Sequence, residues 1–319
     1  MLEPTPLTWE QQLDLFEQRG MIVKFDDTEK LKHISYYKLK EFAKPFSKLS
    51  NQNDKRSIVY TNIDFTEVLA RFYQDKNLRI YLLHAIEKIE VSIKTKISFV
   101  LGERYGAFGY LNFSSWSNRD KFSKYKVETQ QFYIKKSLLK TMKKSQLSEL
   151  KNRHNIENDG FPSVWLGIDL LMFGNIVTIL ESMSEKNLRL IALEYNCSTE
   201  ELVSWMKCLH FVRNICAHNS KLIDIKLTTK PKVRSDWMDY FDNLYLKGAI
   251  VKPSNKLAVV ITIIIYLVNQ INNKYQFSNI QSSINTLCKD DNRATLLGFK
   301  DRNSARHIVE NIKEKKRHP

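Results

Sequence analysis

Residues 204–222, SWMKCLHFVRNICAHNSKL, are the stretch from which we interpret the whole chain. Apolar residues recur around it at spacings of three and four, which is the pattern of a helix with one buried face. This stripe comprises Leu202, Trp205, Leu209, Val212 and Cys216. We therefore predict that residues 204–222 form one helix at the centre of the protein.

Three polar residues of this helix are candidate catalytic residues: Arg213, Asn214 and His218. Asn214 and His218 are i,i+4 neighbours, whereas Arg213 and His218 are separated by about 140° and roughly 7.5 Å along the helix axis. They can flank one groove, where an imidazole transfers a proton and a guanidinium stabilises charge on phosphorus. The alternative is structural, because a His near a helix end often acts as a cap and an Arg often forms a solvated ion pair.

The composition favours a folded, helical protein that binds a polyanion. The chain has 319 residues, of which 43% are hydrophobic, with only 9 Gly and 7 Pro, and this argues against disorder and against a turn-rich all-β fold. The formal net charge is +15 and the pI is about 9.5. Nucleic acid is the first candidate partner of such a basic protein, and Lys-rich usage in the source organism is the alternative explanation.

The four Cys indicate a reducing compartment. They form no C-x2-C pair, have no zinc-finger spacing with His, and resemble small buried hydrophobic residues. The first twelve residues show no signal-peptide pattern. The longest apolar run, residues 257–268, is too short to span a bilayer. We expect a cytoplasmic protein that does not enter a membrane.

Helical periodicity recurs along most of the chain. Gly102 is the expected end of the longest helix, and Gly174 is expected to lie inside a helix and allow close contact with a neighbour. We predict helices at residues 8–19, from 26 or 27 onward, at 65–101, 164–183, 198–222 and 256–272, with a polar loop at 51–56.

Two acidic residues on the long helix are candidate supporting residues. Glu87 and Glu90 have i,i+3 spacing and can present two carboxylates on one side of the helix. Either can orient Arg213 or His218 from the neighbouring helix, or the two can simply form salt bridges within their own helix. A paired-carboxylate metal site lacks matching His or Asp partners, so we expect no metal and no cofactor.

Residues 118–154 are strongly basic, with 11 Lys and Arg against three Asp and Glu. Aromatic residues lie among the lysines, and this combination suits single-stranded RNA, since charge binds phosphates and rings stack on bases. The alternative is a pair of solvated helices with Lys-rich outer faces. The candidate RNA-binding lysines are Lys121, Lys124, Lys126, Lys135, Lys136, Lys140, Lys143 and Lys144.

The segment RNICAHNSKL resembles the R-N-x-x-A-H-x-x-R/K-L motif of the AbiD/AbiF-type abortive-infection proteins, which are bacterial phage-defence factors. Their motif belongs to the R-x4–6-H class of the HEPN superfamily, which contains many metal-independent RNases. Four further blocks match in the same order. The matching positions are Gln12, Phe16, Gly20 and residues 35–39; Asp75, Leu78, Arg79, Leu82, Ala85, Glu87, Ile89, Glu90, Ile93 and Lys94; Phe161, Pro162, Trp165, Leu171, Phe173, Gly174 and Ile176; and residues 256–272.

The chain departs from the family pattern at a few positions. Asp169 stands where Glu is usual, Lys221 where Arg is common, and Ile223-Asp224 replaces Trp-Asn. Arg213, Asn214 and His218 are unchanged, so the catalytic assignment stands, and the departures at 221, 223 and 224 bear on a substrate contact downstream of the motif.

The first block, SYYKL, adds further RNA-binding candidates. Tyr36 and Tyr37 can stack on bases or bond to phosphate beside Lys38, or they can simply pack in the core. Lys221 after the motif is a further candidate.

The resemblance implies an all-α, HEPN-like helical bundle with helical additions at both ends. We divide it into an N-terminal segment (1–60), a core (61–230) that contains the basic insertion 118–154, and a C-terminal segment (231–319). It also implies a toxin that cleaves RNA without metal and leaves a 2′,3′-cyclic phosphate, with a structured noncoding RNA as a possible regulator. One chain carries one R-x4-H motif, so a two-sided cleft requires a C2 homodimer. The alternative is a non-catalytic protein that grips RNA with the same Arg and His.

Overall fold

The N-terminal part of the chain combines short helices with a β-hairpin. In this computed structural model, which describes residues 5–52, 55–246 and 249–314, Thr8 and Gln11 form a capping box at the first helix. Of the predicted loop at 51–56, residues 51, 52, 55 and 56 lie in the two antiparallel strands of the hairpin, and residues 53 and 54 lie outside the described residues. The elements are α1 (Trp9–Glu17), α2 (Thr28–Leu31), α3 (Tyr36–Ala43), β1 (Ser47–Gln52) and β2 (Lys55–Tyr60).

A 45-residue helix, α4 (Phe65–Gly109), runs through the molecule. Asp64 caps it, and its apolar stripe from Leu82 to Val100 is buried, as the periodicity predicts. The prediction that Gly102 ends the helix was wrong. Gly102 instead admits the Trp165 ring, which would lie 3.1 Å from a Cβ at this position. The helix bends four residues later at Gly106, whose φ is 76°.

Helices α5, α7, α9 and α10 pack on α4, and α6 and α8 pack on these helices. The predicted single helix over 164–183 is two helices, because residues 171 and 172 are extended and end the first one. The bounds are α5 (Phe113–Trp116), α6 (Lys124–Met142), α7 (Val164–Leu170), α8 (Phe173–Ser182), α9 (Glu185–Leu193) and α10 (Thr199–Ala217).

Among its described residues, the C-terminal part adds a short 3-10 helix (Ser235–Tyr240), a second hairpin and five α-helices. The apolar run lies in α11, where residues 257–269 are all buried against α4 and neighbouring helices. Among the described residues, no helix is both long and apolar enough to cross a membrane. The elements are β3 (Asn243–Leu246), β4 (Ala249–Pro253), α11 (Leu257–Ile271), α12 (Ser278–Leu287), α13 (Asp291–Leu297), α14 (Arg302–Arg306) and α15 (Ile308–Glu314).

The prediction of an all-α architecture is confirmed, since the two hairpins are the only sheets in the part of the chain that the structure describes. Buried residues from Leu13 to Ile312 belong to one hydrophobic cluster, in which α4 contacts helices from both ends of the chain. The division at residues 60 and 230 stays a prediction. What matters for function is that α10 contacts both α4 and α8.

Candidate functional site

Helix α10 carries the predicted catalytic residues. It begins at a capping box between Ser198 and Glu201, and its apolar stripe is buried. That burial leaves Arg213 and Asn214 half-buried on the outer faces of the helix. The chemistry-bearing residues therefore stand on an element whose orientation the core fixes.

The helix ends earlier than the sequence predicts. Its last residue is Ala217, and His218 is the exposed C-cap residue, with its backbone N–H 3.0 Å from the carbonyl of Asn214. Asn219 then adopts a left-handed conformation with a φ of 55°, which Asn tolerates better than most residues. His218 thus sits at a sharp change of chain direction, where its imidazole faces solvent.

Asn214 has a partner that sequence reasoning missed. Its Nδ2 lies 3.1 Å from Nε2 of His210, one turn earlier on α10. Its described side-chain bond is to His210, and its expected role in positioning His218 or a phosphate stays a prediction. The spacing of 210, 214 and 218, four residues at each step, was the available signal.

The surroundings of His210 lower its pKa. Burial is the largest cause, because it disfavours the charged imidazolium, and the nearby guanidinium of Arg213 acts in the same direction. Glu90 on α4 opposes them and raises the pKa. A neutral imidazole with an unprotonated Nε2 can accept the hydrogen bond from Asn214.

The two predicted supporting carboxylates have different environments. Glu90 forms a salt bridge of 3.1 Å with Lys94, and the Lys94 amine also donates to the backbone carbonyl of Asp169 at 3.3 Å. Glu90 is therefore both an ion-pair partner and close enough to act on His210. Glu87 is exposed and lines a separate groove with Lys88, and no described contact joins it to the motif residues.

A buried carboxylate on α4 holds the turn that follows His218. Oδ1 of Asp75 accepts the backbone N–H groups of Leu222 and Ile223 at 2.7 and 2.8 Å. Its Oδ2 accepts from Nε of Arg79 at 2.9 Å, and Arg79 donates onward to Oδ1 of Asn219 at 2.7 Å. Asp75 is fully buried, so this turn is fixed to α4 by bonds that water does not replace.

A second ion pair closes the same turn. Arg71, also buried on α4, donates to both carboxylate oxygens of Asp224 at 2.7 Å. Lys221 lies 3.0 Å from Asp224 and donates to the carbonyl of Glu41 on α3. Asp224 replaces a residue that is usually Asn in the resembled family, and its charge completes a local network here.

Helix α3 brings one of the predicted RNA-binding lysines to the motif. Lys38 donates to the carbonyl of Asn219 at 2.9 Å, which places its ammonium group one residue from His218. Tyr37 is 74% exposed, so its ring is open to a ligand. Tyr36 is only 8% exposed and packs on Phe16, with its hydroxyl bonded by Arg19. Tyr36 therefore fits the core-packing alternative and not base stacking.

Helix α6 lies next to the same group of helices. Ser137 donates to Asn175 on α8 at 2.9 Å, and Asn175 directly follows Gly174, the glycine that touches His210. Most of the predicted RNA-binding lysines are exposed; Lys135 is half-buried over the ring of Phe161. The exposed lysines are Lys121, Lys124, Lys126, Lys136, Lys140, Lys143 and Lys144.

The two thiols on α10, Cys208 and Cys216, are buried and form no disulfide. Burial raises the pKa of Cys216, next to the turn, to about 12, and that of Cys208 to about 11. A thiol with such a pKa is a poor nucleophile at neutral pH. Among the described residues, no group of three or more His, Cys, Asp or Glu side chains is arranged to bind a metal ion.

Comparison with known proteins gives one match. A family model described as Abi-like protein matches residues 29–224, more than half of the chain. The matched range starts in α2 and ends at Asp224, so it covers α4, α8, α10 and the turn after His218. No curated protein and no solved structure gives a significant match.

Proposed function

The chain belongs to the Abi-like family of abortive-infection proteins, which act in phage defence, and from this premise we propose that it is a metal-independent endoribonuclease. The observation that carries the proposal is the placement of His218. It is exposed at the end of α10, close in sequence to Arg213 and Asn214, on a turn fixed by buried ion pairs.

The chemistry follows from these groups. The 2′-oxygen of a ribose attacks the adjacent phosphorus, the bond from phosphorus to the 5′-oxygen breaks, and the products end in a 2′,3′-cyclic phosphate and a 5′-hydroxyl. His218 transfers one of the two protons involved, as general base at the 2′-hydroxyl or general acid at the 5′-oxygen. Arg213 stabilises the charge that develops on the phosphoryl oxygens, and the Asn214 carboxamide contacts phosphate.

The second proton transfer calls for a second copy of the chain. Each chain offers one exposed His at the motif, and a C2 pair brings two of them to one phosphate. Large apolar side chains are exposed on α4 and near the junction of α7 and α8: Phe99 on α4, Trp165 on α7, and Met172 just before α8. Such side chains suit a symmetric interface.

RNA affinity is assigned to α6 and to the residues beside the motif. Exposed lysines supply charge, and the exposed rings of Tyr125, Phe132 and Tyr133 supply stacking surfaces. A structured noncoding RNA that occupies this helix would also cover the nearby site and so restrain cleavage.

A non-catalytic RNA-binding protein is the second candidate. The basic and aromatic surface of α6 favours RNA binding whether or not cleavage follows. The two candidates differ in a single outcome, which is the fate of the bound RNA.

The deciding experiment measures RNA cleavage in EDTA by the wild type, His218→Ala, Arg213→Ala and the control His307→Ala. His307 is exposed and pairs with Glu310 in the C-terminal helices, away from the motif. We expect the wild type and the control to produce cyclic-phosphate ends, and the two motif variants to be slower by at least about 100-fold. Tight RNA binding by a wild type that leaves the RNA intact would favour the non-catalytic candidate.

The dimer is tested separately by the mass in solution. We expect twice the chain mass for the wild type and a monomer for Trp165→Glu combined with Met172→Glu. A monomeric wild type that cleaves RNA would contradict the two-copy site.

A further inference from the structure

His210 occupies a space that the chain leaves open for it. A Cβ at Gly174 on α8 would lie 2.9 Å from Nε2 of His210 and 3.2 Å from its Cε1, so any other L residue at position 174 would displace the imidazole. The ring of Phe173 meets the imidazole edge-on at 6.0 Å between centroids. With the bond from Asn214, these contacts position the imidazole between α8 and α10.

The length of the helix excludes His210 as the partner of His218 in one reaction. Eight residues along an α-helix correspond to about 12 Å. The attacking and leaving oxygens share one phosphorus atom, so two imidazoles so far apart on one chain do not both reach them. His210 therefore acts through its neighbours, Asn214 and Arg213.

We propose that His210 is a positioning residue of this site, which holds Asn214 in its working position and leaves Arg213 undisturbed only while its imidazole is neutral. The inference rests on the proposed function. When Nε2 is unprotonated, it accepts one N–H of the Asn214 Nδ2 group, which holds the amide in place and leaves the second N–H to donate to phosphate. When Nε2 gains a proton, it can no longer accept, so the amide must turn, and the new positive charge repels Arg213.

The groups on the neighbouring helices determine the pH at which the His210 imidazole gains its proton. Burial is the largest cause that opposes protonation of the imidazole, and Arg213 acts in the same direction, so the pKa lies below its ordinary value of 6.5. Glu90, which pairs with Lys94, acts in the opposite direction. The charged groups on the packed helices are Arg213 on α10, Glu90 and Lys94 on α4, Asp169 on α7, and the pair of Glu181 on α8 with Lys207 on α10.

Substitution by Gln provides a discriminating variant. In His210→Gln, the side-chain carbonyl can still accept from Asn214, but the residue does not titrate. In His210→Ala the acceptor is lost, and in Gly174→Ala the added methyl group displaces the imidazole. A purely structural His210 would make all three variants alike, whereas a positioning role separates Gln from the other two.

The first arm of the test is single-turnover RNA cleavage between pH 5 and 8. We expect His210→Gln to stay within about threefold of the wild type at pH 8, and both other variants to be at least about tenfold slower. The ratio of wild-type to His210→Gln rates cancels the titration of His218. This ratio should fall as the pH drops below 6.5. A ratio that stays constant with pH, or a His210→Ala variant as fast as the wild type, would overturn the proposal.

The second arm does not depend on cleavage. The imidazoles of a His218→Ala chain labelled with ¹³C in its His residues are titrated by NMR, with His210→Gln to assign the signal. We expect a pKa of His210 below 6.5, and a higher one when Arg213→Gln is added, since a repelling charge is removed. If the wild type cuts no RNA, the proposed nuclease fails while this arm still decides on His210. A pKa at or above 6.5, or one indifferent to Arg213→Gln, overturns the inference.

Discussion

Two charged regions of this protein differ in where their charges lie. In the turn after α10, the charges that hold the chain are buried: Asp75 is 0% exposed, and Arg71 and Arg79 are nearly so. On α6, Lys124 is 77% exposed and its nearest acid, Glu128, is 3.9 Å away. Buried, mutually bonded charges fix geometry, whereas exposed charges remain available to a ligand. We therefore assign the position of His218 to the turn and RNA affinity to α6.

The largest expected effect comes from breaking the buried network. In Asp75→Asn, Arg79 loses the carboxylate that it is paired with, and one of the two acceptor oxygens of residue 75 is replaced by an NH₂ donor. We expect the free energy of unfolding in urea to fall by about 3–5 kcal/mol, because a buried charge is left unpaired. The matched change on α6, Glu128→Gln, should cost less than about 0.5 kcal/mol. Equal losses from the two variants would contradict the distinction between the regions.

The next effect concerns the exposed lysines. Replacing Lys136, Lys140 and Lys143 by Gln should weaken RNA binding by roughly 30-fold at physiological salt and reduce the slope of log affinity against log salt by about three. The control replaces Lys30, Lys186 and Lys300, which are exposed elsewhere and remove the same charge. Fluorescence anisotropy with a single-stranded RNA measures both. If the control variant with three lysines replaced loses as much affinity, RNA binding depends on the net charge of the protein and not on α6.

A smaller effect is expected from a single exposed ring. Tyr133→Ala on α6 should weaken RNA binding by about 1 kcal/mol, roughly fivefold, through lost base stacking, with unfolding unchanged. Tyr36→Ala should instead lower the free energy of unfolding and leave RNA binding unchanged, since its buried ring supports the N-terminal core. RNA-binding titrations and urea unfolding titrations of both variants check this contrast. A lower free energy of unfolding in Tyr133→Ala would contradict it.

The smallest effect is on the pH dependence of stability. The pKa of His210 is lower in the folded state than its ordinary value of 6.5, so the unfolded chain binds a proton more readily. The free energy of unfolding should therefore fall as the pH drops below 6.5, and level off below the folded-state pKa. The His210→Gln variant should lack this component. Urea titrations at pH 5 and 7.5 measure it, and an equal decrease in both proteins would rule it out.

Local patterns predict the elements better than the site. The periodicity of α4 and α10 was visible in the sequence, because neighbouring residues determine it. The end of α10 was not. Leu222 and Ile223 are buried and prolong the apolar pattern past Ala217, although the chain has already left the helix.

The contacts that position the site join residues far apart in the sequence. Arg71 and Asp224 are 153 residues apart, and Arg79 and Asn219 are 140 apart, so no local spacing reveals the network that positions His218. His210 was missed for a different reason. Its four-residue spacing from Asn214 is plain in the sequence, but its significance depends on Gly174 of another helix.

The most direct test of the account separates chemistry from affinity. Single-turnover cleavage is measured in EDTA, at protein concentrations that saturate the RNA, for His218→Ala and for the triple Lys→Gln variant of α6. We predict that His218→Ala binds RNA as tightly as the wild type but cuts it at least about 100-fold more slowly, and that the α6 variant binds weakly but cuts at the wild-type rate once saturated. If His218→Ala cleaves saturated RNA at the wild-type rate, the assignment of the chemistry to the turn after α10 is contradicted.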